Sequence, residues 1–142
     1  MTIADACTLI ALINKKDSYH EICRLNASKV SKPLLTTWVC FAEAMYLALA
    51  EGGWFLQEQL WQYPRRGMLQ LYTPSQEEEG RMYELMQKYR DRPMDMGDAS
   101  LVTMAETLHL TQIFTIDSDF YFYTLNGKTP FEVIPVGAKK GI

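Results

Sequence analysis

Apolar and polar positions follow two rhythms along the chain. Compact β-type runs occur at Met1–Ala4, Leu34–Thr36, Met68–Tyr72, Ile113–Ile116 and Phe131–Ile134. Between them, apolar residues recur at helical spacing. Thr8 to Ile13 predicts a short helix. Ser18 and Glu21 have capping-box spacing at the head of a second helix, whose apolar face is Tyr19, Ile22, Cys23 and Val30 and which Pro33 stops. Thr36 or Thr37 caps a strongly apolar helix that ends at Gly52-Gly53. Trp54 to Tyr63 predicts a further helix, stopped by Pro64. Ser75 and Glu78 repeat the capping box before a helix with Met82, Leu85, Met86 and Tyr89 on its apolar face. After Pro93, the residues Leu101, Val102, Ala105 and Leu108 predict a helix over Asp95–His109. Asn126-Gly127 is a turn signal before the last strand. Strands alternating with helices predict an α/β domain with a largely parallel sheet. Residues 1–136 read as one domain and residues 137–142, polar and glycine-containing, as a flexible tail.

Composition narrows the class. The 142 residues, 48% hydrophobic, suffice for a substantial core. A net charge of −3 argues against charge-driven coating of nucleic acid, but not against an acidic centre that cations neutralise. Cys7, Cys23 and Cys40 form neither a paired framework nor a CxxC, and read as small core apolars in a reducing compartment. No basic, apolar leader opens the sequence, and no apolar run reaches the roughly 18 residues of a membrane span. The expected setting is cytoplasmic, with no membrane partner.

The candidate chemistry is acidic. Asp95 and Asp98 lie three apart at a helix start, where unpaired N–H groups and the helix dipole favour carboxylates. On this stretch alone, a helix cap of Asp95 with Asp98 is the favoured explanation of the pair. Asp5 ends the first strand. Asp117 ends the fourth, with Asp119 two residues on. Parallel sheets bind ligands beyond their carboxyl edge, so Asp5 and Asp117 converge there if their strands are neighbours. Each alone is also a common turn residue. Glu43 is the one charged residue between Trp38 and Ala50, which predicts a buried carboxylate needing a metal, a cationic partner or a proton. If Asp5, Glu43, Asp98 and Asp117 meet, their oxygens select hard ions, Mg²⁺ or Mn²⁺. Two such ions about 4 Å apart clamp a phosphodiester and activate water. Glu77-Glu78-Glu79, in a first helical turn, reads as a solvated face. His20 and His109 are isolated.

These residues resemble the PIN-domain family. The resemblance rests on Asp5-Ala6-Cys7, on Thr36-Thr37-Trp38-Val39-Cys40-Phe41-Ala42-Glu43, on Met94-Asp95-Met96-Gly97-Asp98-Ala99 and on Thr115-Ile116-Asp117-Ser118-Asp119-Phe120, in that order over Met1–Val136. It implies a three-layer sandwich around a central, largely parallel five-stranded sheet. It implies a Mg²⁺- or Mn²⁺-dependent endoribonuclease, most like the VapC-type toxins of toxin–antitoxin pairs, with an RNA substrate and a cognate antitoxin. Asp5, Glu43, Asp98 and Asp117 would be catalytic and metal carboxylates, with Asp95 and Asp119 as further metal candidates. Asp117 and Asp119 compete for the last position. Many members carry Ser or Thr after the first Asp; here Ala6 stands there, and Thr8 is the nearest hydroxyl to replace it.

Arg65, Arg66, Lys88, Arg90 and Arg92 are candidates for RNA phosphates, or simply solvated loops. Trp54, Phe55 and Trp61 suit a homodimer or antitoxin surface, or core packing. Two other classes fit the acids less well. One is a non-catalytic PIN-like binding module. The other is a phosphoreceiver, which wants an Asp where the chain has Tyr72-Thr73-Pro74.

Overall fold

Alternating strand residues face opposite ways, and two cores result. In the computed structural model, which describes residues 1–135, Ala4, Leu34 and Phe114 point into one core and Ile3, Leu35 and Ile113 into the other. The strands are β1 (Thr2–Ala4), β2 (Leu34–Thr37), β3 (Leu69–Tyr72), β4 (Gln112–Thr115), the short β5 (Thr124–Leu125) and β6 (Thr129–Pro130), and β7 (Glu132–Pro135). Five of them form one sheet in the order β3-β2-β1-β4-β7, with every pairing parallel. The helices are α1 (Ala6–Ile13), α2 (His20–Asn26), α3 (Trp38–Arg65), α4 (Gln76–Lys88) and α5 (Met96–Leu108). α1 and α3 supply Leu9, Ile10, Phe41 and Leu60 to the first core. α4 and α5 supply Leu85, Leu101 and Met104 to the second. The sheet is therefore the middle of three layers. Because β2 and β4 flank β1 on opposite sides, the chain reverses its direction of travel at β1, and a crevice opens at the carboxyl ends of β1 and β4.

Several local expectations are corrected. The Ser18–Glu21 box does not form: Asp17 accepts the Tyr19 N–H at 2.8 Å, and Glu21 pairs with Arg24 instead. That helix stops at Asn26, a 3-10 turn follows, and Val30 still reaches the core. The two helices expected around Gly52-Gly53 run on as α3, bent at Gly53, whose φ of 65° a side chain would resist. Pro64 lies inside the last turn rather than ending it. By length and composition α3 is apolar enough to cross a membrane, contrary to the sequence expectation, but Cys40, Phe41, Ala44, Ala48, Leu56 and Leu60 are buried along it. Its other face carries exposed Tyr46, Leu49, Trp54 and Phe55. Core packing is thus excluded for Trp54 and Phe55, whereas Trp61 packs edge-to-face on Phe41, ring centroids 5.2 Å apart. No disulfide joins the cysteines: Cys23 and Cys40 are buried, but Cys7 is exposed, not core. The expected tail, 137–142, lies outside the described residues.

Candidate metal centre

Asp5 closes β1 and caps α1. Its Oδ1 accepts the Thr8 backbone N–H at 3.0 Å, and its Oδ2 accepts the Thr115 hydroxyl at 2.5 Å. The hydroxyl support thus comes from the end of the neighbouring strand β4. Thr115 in turn accepts the Asp117 N–H at 2.9 Å, so one hydroxyl ties together the ends of β1 and β4. Asp5 is 6% exposed. Burial raises its carboxyl above the ordinary value, the hydrogen bonds from Thr115 and Thr8 oppose this, and the Asp117 charge adds to it.

The second wall is the head of α5. Asp95 is the cap, accepting the Asp98 N–H at 2.7 Å. The capping reading is therefore correct for Asp95. Asp98 does not reciprocate; its Oδ2 accepts the Tyr123 hydroxyl at 3.0 Å. Burial, followed by the charges of Asp95, Asp117 and Asp5, pushes the Asp98 carboxyl up to about 8, although the Tyr123 bond pulls the other way. Tyr123 itself is buried, and burial together with Asp98 raises its hydroxyl. Asp117 begins a 3-10 turn, Ser118–Tyr121, and its Oδ1 accepts the Asp119 N–H at 2.9 Å. Carboxylate oxygens of Asp98, Asp117 and Asp119 lie within 4.8 Å of one another. Asp117 and Asp119 both reach this cluster. Asp119 also takes an ion pair from Arg92 at 3.3 Å.

Glu43 is not the buried carboxylate that its isolation suggested. It is exposed, because α3 turns an apolar face to solvent here and the charge simply joins that face. It nevertheless borders the crevice. Partial burial, then Asp95, Asp5 and Asp117, raise its carboxyl. A Cβ built on Gly97 would lie 3.0 Å from Glu43 Oε1 and 3.4 Å from Asp95 Oδ1, so the bare glycine leaves room for both carboxylates. The Thr37 and Ser100 hydroxyls, 2.7 Å apart, and the Cys40 thiol, donating to the Gly97 carbonyl at 3.4 Å, hold the head of α3 against α5. Thr115 opens the Thr115–Phe120 motif, a signal that marks it as a possible donor in the sequence. Tyr123 was hidden in an aromatic run that reads as packing.

All donors here are carboxylate oxygens, with no sulfur or imidazole among them. Crowded like charges that raise one another's proton affinity are what a hard divalent cation relieves, so the residues fit Mg²⁺ or Mn²⁺. An all-parallel sheet in the order β3-β2-β1-β4-β7 with helices on both faces is the fold of the PIN domain. No family model and no curated protein matches the sequence. Solved structures do match in fold. The crystal structure of Mycobacterium tuberculosis VapC20, described as a sarcin–ricin loop cleaving toxin, has a TM-score of 0.78 at 13% identity over 84% of this chain and 92% of that one. A toxin–antitoxin complex from Klebsiella pneumoniae gives 0.67 at 15% over 96% and 98%. Rickettsia felis VapBC2, bound to a DNA fragment from its promoter, gives 0.64 at 15% over 93% and 97%.

Proposed function

We propose that the chain is a Mg²⁺- or Mn²⁺-dependent endoribonuclease and the toxin of a VapC-type toxin–antitoxin pair, acting in the cytoplasm. The observation that carries this is the trio of Asp98, Asp117 and Asp119 oxygens within 4.8 Å, placed at the sheet crevice of a fold shared with the toxin structures. Asp98, Asp117 and Asp119 would hold a cation, with Asp5, Glu43 and Asp95 completing the acidic wall. Bound metal supplies polarisation of the phosphodiester, an acidified water and charge for the leaving oxygen. The protein's own part is preorganisation. Tyr123 fixes Asp98, Thr115 fixes Asp5 and the Asp117 backbone, and the close α3–α5 contact at Gly97 sets Glu43 beside Asp95. The exposed Trp54–Phe55 face is assigned to a protein partner, the cognate antitoxin or a second copy in a homodimer. A cavity of about 430 Å³ beside it, lined by Ile13, Asn14, Glu51 and Phe55, suits an inserted side chain.

The test is cleavage of a synthetic single-stranded RNA by the purified chain. Mn²⁺ or Mg²⁺ should start cleavage, chelator should stop it, and Asp98→Asn should slow it by about 10²–10³-fold. Cleavage that persists in chelator, or full activity of Asp98→Asn, would refute the assignment. A second reading, the non-catalytic module, draws on the Arg92–Asp119 pair, because a cluster kept only for structure also recruits a guanidinium. Calorimetry that detects no Mn²⁺ binding would favour it.

A further inference from the structure

Arg92 stands at the rim of the crevice in an arrangement that a plain surface ion pair does not need. Its guanidinium lies over the face of Phe122, 4.1 Å from the ring centroid. It donates to Asp119 from one NH₂ group, and its side chain is 54% exposed. Phe122 is braced in turn by Tyr89 and Tyr123, with ring centroids 5.6 Å and 6.4 Å away. Tyr123 is the residue that holds Asp98. An exposed pair at this distance contributes little to stability, so the contact with Asp119 is easily shared. A guanidinium has five donors in a fixed plane, and stacking fixes that plane without using them. Lys88 and Arg90, both exposed, precede it on the same segment; Lys88 lies over the Tyr89 ring, 5.2 Å from its centroid, and Arg90 donates to the Gln87 carbonyl at 2.9 Å.

We propose that Arg92, carried on the face of Phe122, grips a backbone phosphate of single-stranded RNA directly beside the acidic crevice. This rests on the ribonuclease reading above. Arg92 binds substrate by one charge-assisted phosphate contact, and Phe122 is a positioning residue that acts through it. The contact is to the backbone, so it fixes register and reads no base. It also answers an electrostatic need: a strand of phosphates approaching a cluster of carboxylates requires a cation at the edge.

The experiment compares wild type, Arg92→Ala, Arg92→Lys, Phe122→Leu and Phe122→Tyr as full chains, each checked by thermal melting. Binding of labelled phosphorothioate oligo-U and oligo-A, which resist hydrolysis, is measured by anisotropy in Mn²⁺, and KM and kcat are measured in Mn²⁺ with unmodified RNA. Arg92→Ala should raise Kd and KM about tenfold for both sequences, with kcat held within about twofold. The salt dependence of log Kd should become shallower by about 0.7, the share of one phosphate on a single strand. Arg92→Lys should keep the slope and recover part of the affinity. Phe122→Leu should lose part of it, and Phe122→Tyr should restore it. An unchanged Kd and slope in Arg92→Ala, or a loss confined to kcat, overturns the proposal while a cleaving wild type leaves the ribonuclease reading intact. A wild type that neither binds nor cuts RNA in Mn²⁺ overturns both.

Discussion

Two carboxylates occupy the same place in two helices and lead opposite lives. Glu78 is the third residue of α4 behind its cap Ser75, and Asp98 is the third residue of α5 behind its cap Asp95. Both are nearly buried, at 7% and 9% exposure. Glu78 accepts from the Tyr72 hydroxyl, the Ser75 N–H and the Thr107 hydroxyl, each at 2.8–2.9 Å. Burial works against its charge, but those donors together outweigh it and hold the carboxyl below its ordinary value. Asp98 has the Tyr123 hydroxyl and several like charges, and is pushed up to about 8. Position in the helix therefore does not decide what a buried acid is for. The ratio of donors to neighbouring negative charges does. Glu78 is a finished structural joint of β3, α4 and α5. Asp98 is short of positive charge, which is why the proposed function gives it to a cation.

The widest separation between the two should be in activity. Asp98→Asn should reduce RNA cleavage by about 10²–10³-fold, the scale of losing one electrostatic contributor to a transition state. Glu78→Gln should leave the rate per folded molecule unchanged. Initial rates in Mn²⁺ check both, and equal losses in the two variants would erase the contrast.

Stability should separate them next, with opposite signs. Saturating wild type with Mn²⁺ at a hundredfold its dissociation constant should stabilise it by about 2.7 kcal/mol. Glu78→Gln should keep that gain, and Asp98→Asn should lose most of it. In chelator, Asp98 binds more protons folded than unfolded between pH 3.8 and about 8, so wild type should lose stability as pH rises through that window. Asp98→Asn should flatten that part of the curve, by an amount on the order of 1–3 kcal/mol at pH 8. Glu78 runs the other way. Its lowered carboxyl contributes stability above its unfolded value of 4.5, and that contribution is lost as pH falls through the lower folded value. Glu78→Gln should therefore cost about 1–3 kcal/mol at neutral pH and much less in acid. Urea melts across pH measure all three.

This contrast explains how far the sequence could be read. Both helix starts were visible, because caps and apolar spacing are local. The Asp5–Asp117 convergence followed once β1 and β4 were neighbours, and the parallel order supplied that. Glu78, however, read as part of a solvated run, because its donors come from residues 72 and 107, far from any local pattern. Glu43 failed for a related reason. An isolated charge among apolar residues signals burial only if the helix is covered on that side, and α3 is open there. Tyr123, which distinguishes Asp98 from an ordinary helix-start acid, approaches from an aromatic stretch that spacing alone assigns to the core.

The smallest effect, and the finest probe, compares two glycines beside the two acids. Gly80 follows Glu78 in α4, and a Cβ there would meet nothing within 4 Å. Gly80→Ala should stabilise by about 0.5–1 kcal/mol through helix propensity and leave cleavage untouched. Gly97 precedes Asp98 in α5, where the same Cβ meets Glu43 Oε1 at 3.0 Å and Cys40 Sγ at 3.3 Å. The carboxylate end can move by a few tenths of an ångström, whereas the packed Cys40 yields less readily. Gly97→Ala should therefore gain little or no stability, since crowding offsets propensity. Its effect should fall on activity, because the displaced group is Glu43, and a rate loss of about tenfold is the scale of such a shift in a preorganised site. Normal activity with full stabilisation would show that Glu43 has no fixed place in the crevice. The acidic wall would then end at α5, and the contrast between the two helix starts would rest on Asp98, Asp117 and Asp119 alone.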